Sequence, residues 1–137
     1  MINKIIKAIA NDIKNKYENI NVYTEEVKQG FERPCFSVIC VSSENNIFRG
    51  QRYRMTADIE IHYYNDRKRE DYNNVMLQLF DIINYVNVDN FPLRAVKMAM
   101  DTKDNYCLFN VTYDFFYYLE EEKEIMGEYM EKLSVIS

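Results

Sequence analysis

The side chain best suited to acid–base chemistry is the chain's one histidine, His62, which stands in the run Asp58-Ile59-Glu60-Ile61-His62. On a strand, residues two apart share a face, so this spacing lines Asp58, Glu60 and His62 up on one side. An imidazole beside a carboxylate is part of a proton relay, and two neighbouring carboxylates can split their pKa values for acid and base roles. No Ser or Cys stands at a spacing that would complete a nucleophilic relay. Arg52 and Arg54 continue the same alternation, which makes a solvated cross-strand charge pattern the simpler reading. No catalytic residue is expected.

Other chemistries fare no better. Zinc needs four convergent ligands, and the chain offers one histidine with Cys35, Cys40 and Cys107 scattered through apolar segments. Odd in number and without a C-x-x-C pair, these cysteines read as buried, reduced thiols in a cytosolic setting. Gly30, Gly50 and Gly127 are the only glycines, each isolated, so no phosphate-cradling loop exists and no cofactor is expected. Asn110-Val111-Thr112 matches a glycosylation sequon and reads as a chance match inside a strand.

Arg49, Arg52 and Arg54, followed by Arg67, Lys68 and Arg69, are the basic clusters, with Tyr53, Tyr63 and Tyr64 close by. Basic residues interleaved with aromatics can form a stacking platform for nucleic acid. The overall balance opposes it: 17 Lys and Arg stand against 22 Asp and Glu, so specific nucleic-acid binding is not expected. The opening Met1-Ile2-Asn3-Lys4-Ile5-Ile6-Lys7 mixes lysines into its apolar positions and builds no membrane-spanning or signal-peptide core. No membrane association is expected.

The elements that hold these residues are legible from periodicity. Ile2, Ile5, Ile6, Ile9, Ile13 and Tyr17 recur at three- and four-residue steps and predict a first helix with one apolar stripe. Residues 21–27 read as a weak strand, and 35–41, apolar on both alternating faces, as a central strand covered on each side. Residues 42–50 read as a polar loop that nevertheless contains Ile47, Phe48 and Arg49. The clearest strand is 51–64, with Tyr53, Met55, Ala57, Ile59, Ile61 and Tyr63 on its apolar face.

A second helix runs from about Glu70 to near Val86, on the spacing of Tyr72, Val75, Met76, Leu79, Phe80 and Ile83. Phe91-Pro92 breaks the pattern, and strands 93–100 and 106–119 form a hairpin. Residues 120–137 read as a C-terminal arm or short helix whose Ile125, Met126, Tyr129, Met130 and Leu133 need a surface to cover.

The fold class is therefore α+β, in one domain over 1–137. The expected order is α-β-β-β-α-β-β followed by the arm, with long hairpins in an antiparallel sheet and helices packed on one side. Strands of about fourteen residues would each span roughly 45 Å, against a radius of gyration of about 14 Å for a compact domain of this length. Such strands must curl through bulges or project, and projecting edges suit subunits that pair edge to edge.

Three blocks carry a family resemblance: Val27-Lys28-Gln29-Gly30-Phe31-Glu32-Arg33-Pro34-Cys35-Phe36; Arg52-Tyr53-Arg54 leading into Ile59-Glu60-Ile61-His62-Tyr63-Tyr64; and Phe115-Phe116-Tyr117-Tyr118 before the acidic arm. In this order they resemble the phage tail terminator family of Gram-positive phages and prophages, over nearly the whole chain. The resemblance implies a non-enzymatic structural protein of a virion or tail-like particle, assembled in the bacterial host cytoplasm. It implies a homo-oligomeric ring, usually hexameric, that caps the tail tube, ends its polymerisation and meets the head-side connector or a contractile sheath.

Candidate contacts to a neighbouring subunit or to the tube protein are Phe48, Arg49, Arg52 and Tyr53, with Arg67, Lys68 and Arg69. Aromatic and arginine side chains are favoured as interface anchors. Two alternatives share the same sequence features: a neck or head-completion ring of the same particle, and a small cytosolic binding domain.

Overall fold

The computed structural model describes residues 1–24, 34–50, 52–65, 69–104, 106–119 and 133–136, with backbone alone at 48–49, 69–70, 118–119 and 133–136. Helix α1 (Ile2–Lys16) is followed by strands β1 (Asn21–Tyr23), β2 (Cys35–Arg49) and β3 (Arg52–Tyr64). Helix α2 (Arg69–Ile83) leads to β4 (Tyr85–Val88), β5 (Phe91–Thr102), β6 (Cys107–Leu119) and β7 (Leu133–Ile136). The sheet runs β1-β2-β3-β6-β5-β4, and β7 also pairs with β6. The α+β class and the helix–strand order match the expectation; the sheet is mostly antiparallel, and β1 is parallel to β2.

α1 forms because its apolar residues recur on one face: Ile5, Ile9 and Ile13 are fully buried, and Ile6 and Ala10 nearly so. Lys14 and Lys16 in its last turn complement the negative end of the helix dipole. α2 contributes Tyr72, Val75, Leu79 and Ile83 to the same core. Both helices thus lie on one face of the sheet, against Phe36 and Val38 of β2, Ala57, Ile59 and Ile61 of β3, and Phe109, Val111 and Tyr113 of β6. Each fully buried Ile or Leu contributes about 1.5–3 kcal/mol relative to exposure, so this helix-covered layer supplies most of the stabilisation.

Polar groups inside the layer are paired. The buried Tyr113 hydroxyl donates 2.6 Å to the Ile83 carbonyl at the end of α2. Tyr63 donates to Asp71 at 3.0 Å, Asn65 donates to both, and Tyr72 donates to the Asn65 carbonyl at 3.0 Å, tying the end of β3 to the first turns of α2.

Four expectations need correction. Residues 42–47 are not a loop but continue β2, paired with β3 from Ser42↔Asp58 to Ile47↔Tyr53. The polar Ser-Ser-Glu-Asn-Asn run has weak strand propensity, and the ladder with β3 overrides it. Helix α2 ends at Ile83, because the next residues alternate exposed and buried and pair with β5 from Tyr85↔Arg94 to Val88↔Phe91. Asp89 and Asn90, at φ 52° and 68°, form the two-residue left-handed turn of that hairpin.

β5 starts at Phe91, two residues before the expected Leu93; Pro92 pairs with β4, and the pairing of β5 with β6 begins only at Ala95. Finally, β2 is buried on both faces only at 35–38; Ile39 and Cys40 are half-buried, and Val41 is 47% exposed. The expected strand at 25–27 and most of the C-terminal arm lie outside the described residues.

Candidate assembly surface

The outer face of the sheet, opposite the helices, collects the residues that first suggested chemistry, and it divides them into separate pairs. His62 Nε2 lies 2.9 Å from Glu60 and its Nδ1 3.2 Å from the Tyr64 hydroxyl, while the ring stacks on Tyr106 at 4.9 Å. Asp58 accepts a 2.5 Å hydrogen bond from Thr112. Asp58 and Glu60 therefore hold different partners and do not form a carboxylate pair. Among the described residues no group of three or more His, Cys, Asp or Glu could hold a metal ion. Cys35 and Cys107 are buried and take part in no disulfide, and burial pushes Cys107 up to about 11; Cys40 is half-buried and raised for the same reason.

A cleft of about 490 Å3 opens between the end of α1 and α2, walled by Tyr17, Tyr63, Asp71 and Gln78. Burial, with a smaller contribution from the Asp71 charge, pushes Tyr17 and Tyr63 up to about 12, and Tyr17 donates its hydroxyl hydrogen to Gln78. The Tyr17 phenol thus ties the end of α1 to α2, and the Tyr63 phenol ties β3 to α2.

The arginines and aromatics singled out in the sequence gather at the other end of the sheet, where β2 and β3 meet in a two-residue connection between Arg49 and Arg52. Gly50 there adopts φ 57°, a left-handed conformation that glycine takes without steric cost. On the inner face Tyr53 stacks on Tyr117 at 5.4 Å. On the outer face the Arg52 guanidinium lies 4.2 Å over Phe116, and Arg54 grips Asp114 through two hydrogen bonds of 2.9 and 2.6 Å. That grip holds the Asp114 carboxyl below the usual carboxylate range.

The sequence-selected Phe48, Arg49, Arg52 and Tyr53 therefore converge on one hairpin tip. Arg69 opens α2, and Arg67 and Lys68 lie outside the described residues, as do Ile125, Met126, Tyr129 and Met130. Leu133 begins β7 and pairs with Leu119, continuing along β6 to Phe116↔Ile136. β7 thereby covers β6 beyond the reach of β5, whose pairing with β6 stops at Ala95↔Tyr113.

Two stretches of edge stand open among the described residues. β1 covers β2 only at 35–37, leaving 38–49 without an outer strand. β4 covers β5 only at 91–94, leaving 96–102 likewise open. Sequence reading missed the β2 edge because it assigned 42–50 to a loop; the length of β3, which demands a partner of equal reach, was the available signal. Open edges of this kind are templates for pairing with another chain.

The family model described as phage tail terminator protein matches residues 4–125, which takes in both helices, the long hairpin and both open edges. The chain belongs to the phage tail terminator family. A terminator of this family is a structural component of a phage tail and interacts with other tail components. No curated protein matches this terminator in sequence. Nineteen solved chains match it, among them one with a TM-score of 0.45 at 11% identity, over 86% of this chain and 92% of its own.

Proposed function

We propose that this terminator closes into a ring of identical subunits, hexameric in number, that caps the tail tube, stops polymerisation of tube and sheath, and joins the tail to the head-side connector. The observation that carries the reading is family membership over residues 4–125 in a chain whose long β2–β3 hairpin has an open edge. The role is mechanical and non-catalytic, consistent with outer-face acids that are each engaged by a separate partner. Subunit contacts are heterologous, the same two surfaces meeting head to tail until rotation closes the ring.

In this reading the chain acts as one domain over 1–137, with 120–137 as an arm that covers a surface of its own or of a neighbour through Ile125, Met126, Tyr129 and Met130, and is anchored from Leu133 onward on the chain's own β6. Phe48, Arg49, Arg52 and Tyr53 at the hairpin tip, with Arg67, Lys68 and Arg69, contact the next subunit or the tube protein. The subunit assembles in the host cytoplasm into a phage virion or a headless, bacteriocin-like particle.

Imaging particles that carry a tagged copy of this chain tests the assignment: a ring at the head-proximal end of the tube is the expected result. Label distributed along the tube, or none on the particle, would overturn it. Replacing Phe48 and Arg49 together by alanine is expected to lengthen tails or abolish rings, and unchanged rings with unchanged tail length would remove the tip from the contact set.

A further inference from the structure

We propose that the ring is held by direct joining of sheets, the open edge of β2 in one copy pairing antiparallel with the open edge of β5 in the next, with Glu44 set opposite Lys97. This deepens the ring reading and rests on it for the number of copies. Three features support the pairing.

The first is direction. β2, β3, β6 and β5 are neighbours related by three successive antiparallel steps, so β2 and β5 run opposite ways at the two sides of one sheet. A rotation that sets the next copy's β5 beside β2 therefore continues the sheet with antiparallel pairing throughout.

The second is charge. Glu44 is the charged side chain described on the open part of β2, and it is exposed with no ion-pair partner among the described residues. On the open part of β5, Asp101 is engaged by Lys103 at 2.9 Å, which leaves Lys97 as the unpaired charge. One edge thus carries a free negative charge and the other a free positive one. Isolated charges on edge strands also guard monomers against aggregation. Here, however, these charges favour β2-to-β5 contact over β2-to-β2 pairing centred on Glu44 and over β5-to-β5 pairing centred on Lys97. They select the head-to-tail arrangement that a ring needs.

The third is the alternation of faces. Glu44 pairs across from Thr56 and Lys97 from Thr112, both on the outer face of the sheet. Setting Glu44 opposite Lys97 brings Ser43 opposite Met98, both on the helix-covered side, and Ser42 opposite Ala99 on the outer side. A one-residue slip would reverse every face, so the register and the charges agree. Val41, 47% exposed, and Val96, 62% exposed, each at a register shift, flank this matched segment and would lose exposure on pairing.

The test uses the full-length chain, alone and with assembled tail tubes. Glu44→Lys and Lys97→Glu are each expected to weaken ring formation, read by native mass spectrometry, by about tenfold, and the double exchange to restore it. In a Cys40→Ser background, a Glu44→Cys chain mixed with a Lys97→Cys chain is expected to give a mixed disulfide, with neither cross-linking to itself.

Rings that form at wild-type yield in both charge variants, with no mixed disulfide, would overturn the edge pairing and leave the ring reading standing. Mixed disulfides in open head-to-tail chains, with no closed ring from the wild type, would keep the pairing and overturn the ring. Self-cross-linking of either cysteine variant as strong as the mixture means symmetric pairing and overturns the proposal.

Discussion

The two ends of strand β3 are built on different principles. From Ala57 to Tyr63 its inner residues lie in the layer beneath α1 and α2, where Ile59 and Ile61 have no exposed surface. From Arg52 to Met55 the described interactions run from strand to strand: Tyr53 on Tyr117, Arg52 over Phe116 and Arg54 on Asp114. The first end is fixed by apolar burial, which is large and insensitive to direction. The second is fixed by geometry, through stacking and charge-assisted hydrogen bonds that contribute less but set the side chains in place. One strand therefore secures the fold at one end and orients a contact surface at the other.

Substitutions along this strand and its partner separate the two roles. Ile59→Ala is expected to cost about 2–5 kcal/mol through lost burial and a cavity, seen as a lower urea midpoint. A loss under about 1 kcal/mol would mean the helix-covered layer is not the source of stability. Tyr113→Phe, which leaves the Ile83 carbonyl without its donor, is expected to cost about 1–3 kcal/mol in the same measurement.

At the hairpin end, Tyr53→Ala is expected to cost about 1 kcal/mol from lost stacking, while weakening assembly far more than stability. A cost exceeding that of Ile59→Ala would invert the comparison.

Asp114→Asn gives a smaller, pH-dependent effect. Its carboxyl is held by Arg54 below the value of 3.8 taken for the unfolded chain. The charged form thus adds stability at neutral pH, and this is lost as pH falls through the depressed folded-state pKa. Wild type should be the more stable at pH 7, with the difference closing in acid below 3.8; a constant difference across that range would exclude the ion pair as its source. Smallest of all, Ile47→Ser, at a side chain 74% exposed, should change the urea midpoint by no more than the equivalent of about 0.5 kcal/mol.

Legibility in the sequence followed the same division. α1, β3 and β6 were readable because burial on one face writes a strict period of 3.6 or 2 into the residues, as in the Tyr53-to-Tyr63 alternation. The distal part of β2 was hidden because its residues, Ser42 to Asn46, are exposed and carry no apolar period. Only the demand of β3 for a partner creates the strand. The β4–β5 hairpin was hidden differently: Val86 and Val88 fit the tail of the helical pattern, and Asp89-Asn90 was the turn signal that would have separated them.

For the site, His62, Glu60 and Asp58 stand on one face as the spacing required, with Tyr64 on the same strand, but the partners Tyr106 and Thr112 depend on the register of β6. That register cannot be read from β3 alone. Phe48, Arg49, Arg52 and Tyr53 could be grouped once a turn was placed at Gly50.

The β2–β3 ladder shifts register twice and the β5–β6 ladder once, yet β3 and β6 pair without interruption from Arg52↔Tyr118 to Tyr63↔Cys107. A load applied at the hairpin tip along the strand direction is shared by all these hydrogen bonds in shear, with no bulge at which to yield. The β3–β6 pair is then the stiff beam of the subunit, and the bulged outer strands are its compliant flanges, free to adjust to a neighbour while the beam carries tension toward the helices.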